Sequence, residues 1–175
     1  MAAQYRFLVV GYGHDLKGDG AAGLRVAETV AQWQLPSVKA MAVSQLTPEL
    51  VNSMAQADYV IFVDVCSQPS RSFQLEPIVM GDRSLRTVSS DTHSYNLLTL
   101  LNLTKQLYGY APLAWLLLIP TDSSNQGEAL SSTSQRGYDR ALCTIGQFFQ
   151  TYQQSYQQSY QQSCQQSPHQ SQMCA

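Results

Sequence analysis

Charge is scarce in this chain, and basic charge is the scarcer sign. Lysine and arginine number 10 against 12 acidic residues, for a formal net charge of −2. No basic stripe occurs, so a nucleic-acid partner is not expected, because phosphate binding needs clustered cations. Long apolar runs are missing as well. Runs such as Ala114–Ile119 are strand length, far short of the roughly 18 residues that a membrane span requires. The opening Met-Ala-Ala-Gln-Tyr-Arg-Phe has no charged segment leading into an apolar one, so no signal peptide is expected. These absences point to a cytoplasmic protein with no membrane partner. Among the four cysteines, Cys66, Cys143, Cys164 and Cys174, there is no Cys-x-x-Cys pair. Free thiols in a reducing compartment fit that pattern better than a disulfide framework. A Gly-x-Ser-x-Gly elbow is absent, as is the Gly-Lys-Ser/Thr of a phosphate-binding loop.

What is present is an alternation of strand-like and helix-like segments. Tyr5–Val10, Val38–Val43 and Ala114–Ile119 read as strands. Tyr59–Val65 is the strongest, continuously apolar and largely β-branched until Asp64, as a strand buried on both faces should be. Phe73–Met80 reads as a further strand, placed near a sheet edge by Pro77. Helical spacing recurs over Ala21–Trp33, from Thr47-Pro48-Glu49 to about Gln56, over Ser94–Tyr108 and over Ser134–Phe149. The fold class expected is α/β, with a mainly parallel central sheet between helices. Residues 1–150 form the expected domain. Residues 151–175, with Tyr-Gln-Gln-Ser repeated and few aliphatics, form a low-complexity tail expected to be disordered. The alternative is an extension of the last helix, since tyrosines four apart share a helix face.

Three places carry residue types suited to chemistry. The first is the glycine-rich turn from Gly11 to Gly23, lying between the first strand and a helix and carrying His14, Asp15 and Asp19. Gly11 and Gly13 fit the start of a dinucleotide fingerprint, but Leu16 holds the third glycine's place. The plainer reading is a tight strand-to-helix connection that needs glycine for its backbone shape. The second is Asp64, a carboxylate closing an apolar strand, where burial is costly unless the charge is paired or metal-bound. If the first and third strands are parallel, Asp19 and Asp64 emerge at one sheet edge, where open α/β sheets bind ligands. The plainer reading of Asp64 is an aspartate that caps a loop or the next turn. The third is His93, just ahead of a leucine-rich helix that Thr92 or Ser94 would cap, and on its own it reads as part of a capping loop. Two carboxylates with one or two imidazoles make a mixed oxygen and nitrogen set, suited to nickel, zinc or iron rather than calcium. Cys66 could approach His93, but it reads more simply as a buried thiol.

Taken in order, these segments resemble the maturation endopeptidases of nickel–iron hydrogenases. Gly11-x-Gly13-x-x-Leu16-x-x-Asp19 with Gly23 is similar to that family's opening motif, Val60–Asp64 to its second, and His93 with Leu97, Leu98 and Leu101 to its third. Leu117–Pro120 and Glu128 are similar to its final strand and loop, and Gln45–Leu50 resembles the branch serving bidirectional hydrogenases. The resemblance covers about residues 5–150. It implies a three-layer α/β/α sandwich. It also implies an endopeptidase that removes a C-terminal peptide from the nickel-loaded precursor of the hydrogenase large subunit, its partner. No tightly bound cofactor is implied, the nickel being recognised in the substrate.

The catalytic and metal-contacting residues that the resemblance carries over are Asp64 and His93; the third contact falls to Asp19, the acid beside Gly20, or to His14 as a nitrogen instead. Two departures stand out. His14 occupies a position where the family usually has Asn, and Gly20 one where it usually has the metal-contacting acid. The alternative is therefore a non-catalytic homologue that binds nickel or the precursor through a degraded site, and a small nucleotide-binding protein is the third reading.

Overall fold

The computed structural model describes residues 5–13, 18–66, 73–80, 96–122 and 129–165, with the backbone alone described from 154 onward. Five strands form one sheet: β1 (Phe7–Tyr12), β2 (Val38–Val43), β3 (Tyr59–Cys66), β4 (Gln74–Ile78) and β5 (Leu113–Pro120). Their order is β2-β1-β3-β5-β4. All neighbours are parallel except β4, which runs antiparallel to β5 at the edge. Pro77 sits in that edge strand, where a missing N–H can be accommodated. The expected strands are all there, but β1 runs on through Gly11 and Tyr12. In-register pairing carries it that far, Gly11 against Val63 on one side and Tyr12 against Val43 on the other. Tyr12 is thus a strand residue rather than part of the turn.

A single 3-10 turn, Gly18–Ala21, leads into α1 (Ala22–Gln32). Next come α2 (Leu50–Met54), α3 (Leu97–Tyr108) and α4 (Ser132–Gln165). α2 is shorter than expected because Pro48 and Glu49 belong to a preceding turn, in which Leu50 N–H donates to the Thr47 carbonyl. α3 starts at Leu97 rather than Ser94. Its cap is Asn96, whose side-chain oxygen accepts from Leu98 N–H at 2.9 Å, and Asn is among the best residues for that task. Gly109 closes the helix in the left-handed conformation at φ 71°, which glycine adopts without a Cβ penalty.

Alternation along the strands divides the core into two faces. Leu8, Val10, Val60, Phe62, Leu116 and Leu118 pack with Leu50, Val51 and Met54 of α2 and Leu97, Leu100 and Leu101 of α3. The opposite face meets α1 and the start of α4. There a Cβ on Gly23 would stand 2.8 Å from the Val63 carbonyl oxygen, and one on Gly137 would stand 2.7 Å from Ile119 Cγ2. Thr29 and Tyr138 join these two helices through their hydroxyls at 2.7 Å. The result is three layers, helices on both sides of a mainly parallel sheet.

The chain divides into two units within α4, between Ala141 and Leu142. The helix continues past the expected end at Phe149 and takes in all three Tyr-Gln-Gln-Ser repeats, ending at Gln165. A tilted contact between the rings of Tyr152 and Phe148, centroids 4.4 Å apart, shows how the four-residue spacing supports it. Residues 166–175 lie outside the described residues.

Candidate functional site

In a parallel sheet the carboxyl ends of the strands share one edge, and here β1, β3 and β5 deliver Tyr12, Asp64 and Pro120 to it. Glycines set how closely α1 approaches that edge. A Cβ on Gly11 would lie 2.0 Å from the Gly23 carbonyl oxygen, a separation no real side chain tolerates. A Cβ on Gly23 would lie 2.9 Å from the Tyr12 carbonyl oxygen, and one on Gly13 would lie 2.6 Å from that of Gly20. The glycine turn is therefore a close-packed strand-to-helix connection, the structural one of its sequence readings. Gly18, at φ 60°, provides the left-handed residue that leads into the 3-10 turn.

Asp64 shares the face of Val60 and Phe62, toward α2 and α3. One carboxylate oxygen, Oδ2, accepts from the Tyr12 hydroxyl at 2.7 Å; the other, Oδ1, accepts from Val65 N–H at 2.8 Å. Burial, then the Asp64 charge, then the hydrogen bond to it push the Tyr12 phenol well above its ordinary range, so it remains a proton donor at neutral pH. Sequence reading missed Tyr12, since the middle residue of a Gly-x-Gly is free in every motif considered. A signal was available: a tyrosine directly across from the aspartate once the first and third strands are aligned by their apolar runs.

Asp19 goes elsewhere. It lies in the 3-10 turn before α1, only 6 % exposed. Its Oδ2 accepts from Asp122 N–H at 2.8 Å and from the Ser131 hydroxyl at 2.7 Å, while Oδ1 accepts from Ser131 N–H at 2.6 Å. Ser131 immediately precedes α4 and accepts from Ser134 N–H at 3.1 Å, so it caps that helix. Burial alone would raise the pKa of Asp19. The hydrogen bonds from the Ser131 hydroxyl and N–H and from Asp122 N–H outweigh it and hold the carboxyl far below its ordinary value. The carboxylate thus ties the turn after β1 to the connection between β5 and α4.

Asp19 and Asp64 reach the same sheet edge, as expected, but their carboxylates serve different elements. A carboxylate offers about four acceptor positions, and three of those on Asp19 are taken by Asp122 N–H and by the N–H and hydroxyl of Ser131. His14, His93 and Glu128 lie outside the described residues. Among the described residues no three His, Cys, Asp or Glu side chains gather as a metal site. Cys66 is a free, half-buried thiol two residues beyond Asp64. No described helix is long and apolar enough to cross a membrane.

The sheet and its flanking helices superpose on a group of solved structures. The fold is that of the hydrogenase maturation proteases. The hydrogenase-maturating endopeptidase HybD from E. coli superposes with a TM-score of 0.64 and 22 % identity, over 80 % of this chain and 89 % of that one. The nickel–iron hydrogenase maturation protease HycI from Thermococcus kodakarensis gives 0.61 and 21 %, over 81 % and 90 %. A hydrogenase 2 maturation peptidase from a Thaumarchaeota archaeon gives 0.58 and 21 %, over 82 % and 97 %. No family model matches the sequence, and no curated protein matches it significantly.

Proposed function

We propose that this protein is a cytoplasmic endopeptidase that removes the C-terminal peptide from the nickel-loaded precursor of a nickel–iron hydrogenase large subunit. The observation that carries the reading is the placement of Asp64: a carboxylate at the carboxyl edge of the central parallel strand, with both oxygens oriented by donors. The fold shared with maturation proteases, together with the three motifs in order, supplies the reaction class. Gln45–Leu50 supports the branch serving bidirectional hydrogenases.

In this reading nickel belongs to the substrate, and the protein carries no tightly held cofactor. Asp64 and His93 contact the substrate's metal, and His14 makes the third contact in place of the acid missing at Gly20. A metal ion close to the scissile bond polarises its carbonyl, and a carboxylate in contact can orient the attacking water. Asp19, anticipated as a metal contact, takes a supporting role, because three hydrogen bonds already tie both its oxygens to Asp122 and Ser131 in the connection between β5 and α4. The test mixes purified protein with nickel-loaded and nickel-free precursor. Cleavage of the loaded form alone is expected; cleavage of both forms, or of neither, refutes the reading.

Gly20 favours a second reading, a non-catalytic homologue that binds nickel or the precursor. The two are separated by Gly20→Glu. A weakened protease gains cleavage from the restored acid, whereas a binding module stays inert.

A further inference from the structure

We propose that Tyr12 is a positioning residue for Asp64, the hydroxyl that fixes which way the reactive carboxylate points. The inference rests on the role proposed for Asp64 above. Its grounds are geometric. Tyr12 and Asp64 follow the paired residues Gly11 and Val63 on adjacent parallel strands, so their side chains leave the sheet side by side on one face. The phenol oxygen donates to Asp64 Oδ2 at 2.7 Å, and Val65 N–H donates to Oδ1 at 2.8 Å. Two donors on two different oxygens fix the rotation of the carboxylate plane, which one donor alone would leave free.

The glycines of the opening turn acquire a purpose in this arrangement. Tyr12 lies between Gly11 and Gly13. Gly11 and Gly23 let α1 press onto the strand ends, with Gly23 against the Tyr12 carbonyl, and Gly13 lets the chain turn beneath the Gly20 carbonyl. The backbone of Tyr12 is held on both sides by contacts that only glycine permits. A long side chain on a fixed backbone delivers its hydroxyl to a fixed point. The Gly-x-Gly that resembles a phosphate cradle in sequence thus serves to aim a phenol at a carboxylate. Outer-shell partners of this kind typically contribute 10–100-fold to metal affinity or activity.

The test is a double-mutant cycle on cleavage of nickel-loaded precursor, measured in single turnover so that slow variants remain readable. Tyr12→Phe keeps the ring and its packing and removes only the hydroxyl. It is expected to lower the cleavage rate by roughly 10–100-fold while the thermal midpoint stays near that of the parent. In an Asp64→Asn background the same change is expected to have little further effect, because Tyr12 acts through that carboxylate. Parent-like cleavage by Tyr12→Phe, with Asp64→Asn inactive, overturns the positioning role and leaves the proposed function standing. Equal losses in both backgrounds overturn it too, since Tyr12 would then act independently. Full activity of Asp64→Asn overturns the role of Asp64 and this proposal with it.

Discussion

Removing the Asp19 carboxylate should loosen the joint between the turn after β1 and the start of α4. Asp19→Ala deletes the acceptor for Asp122 N–H, Ser131 N–H and the Ser131 hydroxyl, at a position only 6 % exposed. The hydroxyl can turn to other partners, but the two backbone N–H groups cannot. A buried donor left unsatisfied costs about 1–3 kcal/mol; with Asp122 exposed and Ser131 half-buried, water partly fills the gap, and about 3 kcal/mol is expected for the pair. At about 2–4 °C per kcal/mol for a domain of this size, that is a fall in Tm of roughly 6–12 °C. Asp19→Asn keeps one oxygen but turns an amide N–H toward a donor, so it should fall between alanine and the parent.

The pH dependence has a definite sign. The folded pKa of Asp19 lies below its unfolded value, about 3.9. Its stabilisation is therefore fully present above the unfolded pKa and is lost as pH falls below it toward the folded value. The parent should lose stability more steeply than Asp19→Asn as pH drops from about 5 toward 3. The assay is thermal and denaturant unfolding at several pH values. A Tm for Asp19→Ala within about 1 °C of the parent, a shift too small for even one lost donor, would refute the joint. If nickel-dependent cleavage also vanished in that stable variant, Asp19 would be a metal contact after all.

Other expected outcomes follow from packing. Gly11→Ala places a Cβ 2.0 Å from the Gly23 carbonyl oxygen, so it should yield little folded protein, judged by circular dichroism and solubility. Asn96→Ala removes the α3 cap and should destabilise by about 1 kcal/mol in denaturant titration. Truncation after Gln153 removes the repetitive end of the chain and should leave cleavage of nickel-loaded precursor unchanged; a large loss would give the repeats a role in catalysis.

The strands were legible because their apolar runs are short and bounded by turn residues, and each forms near where the pattern places it, β1 running on past Val10 through Gly11 and Tyr12. Asp64 was legible for a related reason: a charge closing an apolar strand stands out against its neighbours. Helix starts were less so. Asn96 competes with Ser94 and Thr92 for the cap of α3, and only the backbone conformation at each position decides among them. Asp19 was recognised as important while its task was not. Its partners lie more than a hundred residues away, at Asp122 and Ser131, and no local spacing announces them.

The order of apolar and helical segments alone therefore determined an α/β sheet with a glycine-packed first turn and an acid at the end of its central strand. Those features depend on local propensity and burial, which sequence patterns record directly. The tertiary structure alone decided where each carboxylate turns. Parallel pairing set Tyr12 beside Asp64 on one face of the sheet, and the return of the chain through β5 into α4 set Ser131 against Asp19. Hydrogen bonds between distant segments depend on register and crossover, and those exist only once the sheet has formed.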